Sequence, residues 1–302
     1  GLRFDYEHTR LRYRSSTQTG YTATDRVSGT TGHYPLSIDI RNTLKRNFTE
    51  VLPKFSVLYA FDEIHNLYVS VAKGYKAGGF NTQMFSDVLQ QKMMNEMGFG
   101  TVYDADKVVS YEPEYSWNYE LGAKHPFLDN RLNAEFCFFW IDWKNQQIYQ
   151  MLATQNGQYL RNAGRSESKG VEVSLQGNPV NGLMVQVNYG FTHATFKDYK
   201  DERRGIDYSG NFLPMVPRHT FAVGADYTIP NPCRHIDRFT VSANYTGTGR
   251  ILWKEDNKVS QPYYGLLNAK VSATKDFITF AIWAKNMTGA DSVSYTHLTL
   301  PT

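Results

Sequence analysis

Hydrophobic and polar residues alternate with period two along much of the chain. In YSWNYELGAK, Tyr115, Trp117, Tyr119, Leu121 and Ala123 share one side while Ser116, Asn118, Glu120, Gly122 and Lys124 share the other. Successive side chains of a β-strand point to opposite faces, so the segment predicts a strand with one apolar and one polar face. LMVQVNYGFT repeats the pattern, setting Leu183, Val185, Val187, Tyr189 and Phe191 against Met184, Gln186, Asn188, Gly190 and Thr192. GVEVSLQG, FAVGADY and FTVSANYT do the same. By this criterion the chain carries about eleven strands, from Leu2–Arg12 at its start to Phe277–Asn286 near its end.

Alternation alone fits a soluble two-sheet sandwich as well as a membrane barrel. The connections separate the two. Short turns at 62–65 (DEIH), 127–130 (FLDN), 178–182 (NPVNG) and 274–276 (TKD) take turns with long excursions at 13–50, 76–114, 144–167, 197–219 and 253–263. Strands that reverse at opposite membrane faces, with tight turns on one side and long loops on the other, give this rhythm. The predicted fold class is therefore all-β, a transmembrane antiparallel β-barrel. Within the excursion 76–114, DVLQQKMMNEMG predicts a short helix with Ser86 as N-cap and Gly98 as its stop. Leu89, Met93 and Met97 form its apolar stripe.

Composition is consistent with a barrel. The 302 residues include 21 Tyr and 18 Phe, 15% aromatic in all, yet mean hydropathy is -0.49. No apolar run approaches the ~20 residues of a membrane helix. Barrel strands escape such a scan because lipid-facing and lumen-facing residues cancel in any window. Tyr115, Trp117, Tyr119, Phe136, Phe138 and Trp140 lie on the apolar parity and are expected to face lipid. A net charge of +3 is too small to point to nucleic acid. Cys137 and Cys233 form no metal-type or redox-type pair.

Candidate chemistry is sparse. The glycine-rich stretch VSVAKGYKAGGFN (69–81) places Phe80 after Gly79, where a phosphate-binding loop needs Lys. It reads as a strand running out into a loop, with glycines permitting close backbone approach. Glu112 and Glu114, and Asp201 and Glu202 beside Arg203 and Arg204, read as solvated loop charges. His193, His219 and His235 lack metal-site spacing. No catalytic residue, metal or cofactor is expected, and the chain is not expected to be an enzyme. Tyr103, Arg203, Arg204 and Tyr208 lie in two of the long excursions, where cations beside aromatics suit an anionic, ring-bearing chelate.

Four ordered blocks carry a resemblance. FTEVLPKFSVLYAFDEIHNLYVSVAKGYKAGGFN (48–81), the run beginning YEPEYSWNYELGAK (111–148), the run beginning NAGRSESKGVEVSLQG (162–199) and VPRHTFAVGADY (216–227) resemble the barrel of TonB-dependent outer-membrane receptors. The resemblance implies a bacterial outer-membrane protein whose barrel has about 22 strands and is preceded by a plug domain. Residues 1–290 then read as the C-terminal half of such a barrel, and 291–302 as a non-native tail where a closing strand is expected. The implied function is active transport. A scarce solute, of which an iron–siderophore complex is the leading example, binds external loops and is imported with TonB energy. The implied partners are outer-membrane lipid, a small-molecule chelate and, through the plug, the TonB-ExbB-ExbD complex. A passive porin-like channel, or a receptor of the same fold for haem, cobalamin or oligosaccharide, remains open.

Overall fold

The computed structural model describes residues 1–24, 27–62, 64–98, 109–151, 158–162, 164–201 and 205–291. Eleven strands form one sheet whose spatial order is their order in the chain. They are β1 (Leu2–Thr24), β2 (Thr31–Ala60), β3 (Asn66–Lys76), β4 (Glu114–Phe127), β5 (Leu132–Lys144), β6 (Arg165–Val180), β7 (Leu183–Asp198), β8 (His219–Cys233), β9 (Ile236–Thr248), β10 (Tyr264–Lys275) and β11 (Ile278–Ala284). β1 pairs antiparallel with β2, and β7 through β11 pair antiparallel in succession.

Residue chemistry at the tight turns explains where strands reverse. Leu128, Asp129 and Asn130 take φ of 51°, 54° and 67° in succession between β4 and β5, and Asp276 takes 51° between β10 and β11. Asn and Asp tolerate this left-handed region better than most residues. Gly182, at φ 78°, lies so close to the Thr228 carbonyl that no Cβ would fit. At the β2–β3 turn, Asp62 Oδ1 accepts the amides of Ile64 (2.9 Å) and His65 (2.7 Å), an Asx-type closure.

One excursion expected as a loop is strand. β1 continues to Thr24 and β2 starts at Thr31, in unbroken register from Leu2 opposite Pro53 to Thr24 opposite Thr31. Period two persists here, but with cations in place of polar residues on one face. Arg10, Arg12, Arg14, Arg41 and Lys45 are exposed, while Leu11, Tyr13, Ile38, Ile40 and Leu44 on the other face are buried or half-buried.

The contacts divide the chain into two compact units. The first comprises residues 1–54, 73–117 and 143–165. Its apolar centre joins Ile38 and Ile40 of β2 to Met84, Val88, Val109 and Tyr159. Helix α1 (Phe85–Glu96) contributes Val88, Leu89 and Met93 to it, and the Phe85 ring stacks on Tyr13 at 4.0 Å. Ser86 is not the N-cap. A 3-10 turn at Thr82–Met84 supplies the first turn, Met84 occupies the cap, and the Ser86 hydroxyl donates to the Gln83 carbonyl. Gly98 stops the helix as expected, at φ 80°.

The second unit comprises residues 55–72, 118–142 and 166–302, of which 166–201 and 205–291 are described within its last part. Its apolar strand parity stays uncovered. Phe136, Phe138 and Trp140 are 46%, 43% and 38% exposed, and Tyr119 stacks on Trp140 at 5.0 Å. Val241 pairs with Val271, and Val271 with Ile282, extending an exposed apolar band across β9–β11. A band of this size needs a non-aqueous neighbour, as a lipid-facing wall has. The opposite parity is polar and internally bonded: Ser174 donates to Asn188 at 2.8 Å and Asn268 to Asn244 at 2.8 Å.

Two outcomes follow from these faces and turns. Val187→Arg, on the apolar parity, should cost about 2–4 kcal/mol of stability in lipid vesicles, whereas Asn188→Arg should cost about 1 kcal/mol, the loss of one hydrogen bond. Equal losses in denaturant titrations would show that the two parities are assigned wrongly. At the β2–β3 turn, the amides of Ile64 and then His65 hold the Asp62 carboxyl below its ordinary range. Its stabilising contribution is therefore full above the ordinary carboxylate pKa of about 4 and is lost as pH falls through the depressed value. The protection factor for hydrogen exchange at the His65 amide should fall on acidification in the native protein and be already low in Asp62→Ala; a well-protected amide in that variant would refute the closure.

Candidate functional site

The long connections all leave the same strand ends, opposite the tight turns, and they are the candidate site. In the first unit they are held by side-chain amides. Asn81 donates through Nδ2 to the Leu160 carbonyl (2.8 Å) and accepts the Leu160 amide at Oδ1 (2.7 Å), as a strand neighbour would. Asn162 does the same for Glu112, accepting its amide (2.8 Å) and donating to its carbonyl (2.8 Å). Gln147 Nε2 donates to the carbonyls of Ala77 (2.8 Å) and Glu112 (3.2 Å). These amides tie the connection after β3 to the hairpin Gln147–Met151 and Gln158–Asn162.

The glycines of the GYKAGGFN run now have a reason. A Cβ on Gly78 would meet the Tyr111 carbonyl oxygen at 2.5 Å and the Phe48 ring at 2.8 Å. The chain leaving β3 can pass the chain returning to β4 only where no side chain intervenes.

Glu112 and Glu114 are engaged structurally. Glu112 pairs with Arg46 at 3.3 Å, and Glu114 accepts the Gln147 amide at 2.7 Å. Below them Lys73 pairs with Glu50 at 2.8 Å and sits 5.4 Å from the centre of the Tyr115 ring. Tyr115, expected among the lipid-facing aromatics, is thus a partner of an ion pair at the end of its strand.

In the second unit the connection after β7 folds on a ring cluster. Phe196, Tyr199 and Tyr208 are 0%, 1% and 5% exposed, with ring centroids 4.8 Å and 5.3 Å apart in sequence. Tyr208 N donates to the Tyr199 carbonyl at 2.9 Å. Asp207 accepts the Ser209 hydroxyl and amide, which lower its carboxyl pKa. Asn257, from the connection after β9, accepts the Phe212 amide (2.8 Å) and donates to its carbonyl (2.9 Å), repeating the amide device of the first unit. Arg218 lies over the Phe212 ring at 5.0 Å.

Of the four sequence-selected ligand residues, Tyr208 is described and its ring is packed inside the loop. Tyr103, Arg203 and Arg204 lie outside the described residues. The Asn and Gln clamps were missed because each joins segments distant in sequence; a lone amide in a polar loop carries no local signal. Among the described residues no three His, Cys, Asp or Glu side chains converge as a metal site. In each unit, then, side-chain amides brace the connections, and in the second the Phe196, Tyr199 and Tyr208 rings lie inside the loop they build.

Comparisons with known proteins agree with this architecture. A family model described as TonB dependent receptor-like, beta-barrel, matches residues 1–287. The pesticin receptor of Yersinia pestis is 28% identical over 175 residues, 58% of this chain and 22% of that protein. The catecholate siderophore receptor Fiu of Escherichia coli K12 is 24% identical over 264 residues, 87% of this chain and 31% of that protein. In fold, the chain is similar to the crystal structure of the ferric yersiniabactin uptake receptor FyuA from Yersinia pestis, with a TM-score of 0.61 and 19% identity over 95% of this chain and 38% of that one. The siderophore receptor PiuA from Acinetobacter baumannii gives a TM-score of 0.61 and 19% identity over 95% of this chain and 36% of that one. The chain thus spans well under half the length of these relatives. With the family model covering all eleven strands, the chain belongs to the TonB-dependent receptor β-barrel family of the bacterial outer membrane.

Proposed function

We propose that this barrel serves active transport across the outer membrane, capturing an iron–siderophore complex at its external connections and importing it with energy delivered by TonB-ExbB-ExbD through a plug domain. The observation that carries this reading is the bracing of the long connections by Asn81, Gln147, Asn162 and Asn257. An open channel has no use for loops clamped to one another, whereas a capture surface gains affinity from being ordered before the ligand arrives. The names of the relatives, a pesticin receptor and a catecholate siderophore receptor, point the same way. On this reading residues 1–290 are barrel and 291–302 are not part of its wall.

Arg203, Arg204 and Tyr103 would supply the cations and ring that meet the chelate, and the buried Tyr208 would hold the loop that presents the two arginines. Uptake of radiolabelled ferric siderophores into cells carrying the receptor should cease on adding a protonophore or deleting TonB. Uptake that persists without energy would instead support the porin-like reading. Arg203→Ala with Arg204→Ala should weaken chelate binding by about tenfold or more, as loss of charge-assisted hydrogen bonds does. Unchanged affinity, or unchanged affinity on deleting 200–208, would reduce these loops to covers over the barrel mouth.

A further inference from the structure

The β1–β2 hairpin carries a feature that solute capture does not use. On β1, the parity of Leu2, Phe4 and Tyr6, exposed by 75%, 65% and 62%, continues through His8 to Arg10, Arg12 and Arg14. Across the ladder, Arg10 stands opposite Lys45 and Arg14 opposite Arg41. Five cations therefore share one exposed ribbon face with a single carboxylate, Asp39, which pairs with Arg14 (3.1 Å) and Arg41 (3.0 Å). Arg10, Arg12 and Lys45 make no ion pair among the described residues. Arg12, Arg14, Arg41 and Thr43 also line a shallow recess of about 540 Å³.

The order along the strand matters. The opposite parity of this hairpin bears the Arg3–Asp5 pair and the apolar centre under α1, so the uncovered apolar residues Leu2, Phe4, Tyr6 and Val51 are the ones suited to lipid. From Tyr6 to Arg10 is four residues, about 13 Å of strand. At a tilt near 40° that is roughly 10 Å of height, which reaches from hydrocarbon into the headgroup layer. An apolar band that gives way on the same face to unpaired guanidinium and ammonium groups matches a lipid whose headgroup bears phosphate. The second unit repeats the order more weakly: Tyr189 and Phe191 of β7 are followed on their parity by His193 and Lys197, the latter sharing Glu167 (2.9 Å) with Lys169 (3.4 Å).

We propose that the Arg10, Arg12, Arg14, Arg41 and Lys45 face of the hairpin binds the phosphorylated headgroup of the outer-leaflet glycolipid, holding the receptor wall against its own membrane. The inference rests on the outer-membrane location and is independent of the solute proposed above. The test uses the intact receptor in detergent, with bisphosphorylated lipid A as the probe, read by native mass spectrometry and thermal unfolding. Lipid A should bind and raise the midpoint, while its dephosphorylated form and inorganic phosphate at equal concentration should not. Arg10→Gln with Arg12→Gln and Lys45→Gln should bind lipid A at least about tenfold more weakly, and Arg10→Lys with Arg12→Lys should retain most binding at low salt. Heat-modified gel migration checks that each variant is folded. Unaltered lipid A binding by the folded Gln variant would overturn the proposal, as would equal binding of the dephosphorylated lipid. Loss of ferric chelate binding with lipid binding intact would overturn it too, and would reassign the ladder to solute capture.

Discussion

Hydrocarbon offers no partner to a backbone amide, so a chain that crosses it in strands must pair every strand within the protein. That constraint orders this molecule. Neighbours in sequence become neighbours in the sheet, reversals at one end stay short, and length accumulates at the other. Side-chain parity follows, since a one-residue slip would turn every apolar residue from lipid to lumen. Beyond the hydrocarbon the demand lapses, but pairing continues in β1 and β2 because antiparallel hydrogen bonds still satisfy their backbones. What changes there is the surface, from Leu2, Phe4 and Tyr6 to a row of cations.

The long connections face the opposite difficulty. They leave the ladder with polar backbone groups and little apolar area, and must find partners elsewhere. Asn and Gln solve this because one amide both donates and accepts, and so can stand in for a peptide group. Asn81, Asn162 and Asn257 each clasp both backbone groups of one residue in another connection. The apolar contacts under α1 add a second hold in the first unit.

Much of this was legible in the sequence, for physical reasons. Period two is imposed by the membrane, so β4, β7 and β8 announce themselves in YSWNYELGAK, LMVQVNYGFT and FAVGADY. The β1–β2 extension was not legible, because LRYRSS alternates Arg with Leu and Tyr and a search for apolar against neutral polar passes over it. The start of α1 shifted because a 3-10 turn removed the need for a hydroxyl cap. Tyr208 lies in the long connection after β7 with its ring buried against Tyr199, and an aromatic in a long loop can as well build the loop as meet a ligand, a difference the sequence does not carry.

The clasps at Asn81 and Asn257 set how this surface can change over generations. Each ties two connections together at one point and leaves the rest of each connection unconstrained by that bond, and closing a longer flexible stretch costs only slowly more. Insertions or deletions within a connection, away from its clasped residue, can therefore reshape that connection without disturbing the strands of the wall. The barrel becomes a chassis and its connections interchangeable fittings, so that descendants with altered outer surfaces can arise through changes of loop length alone.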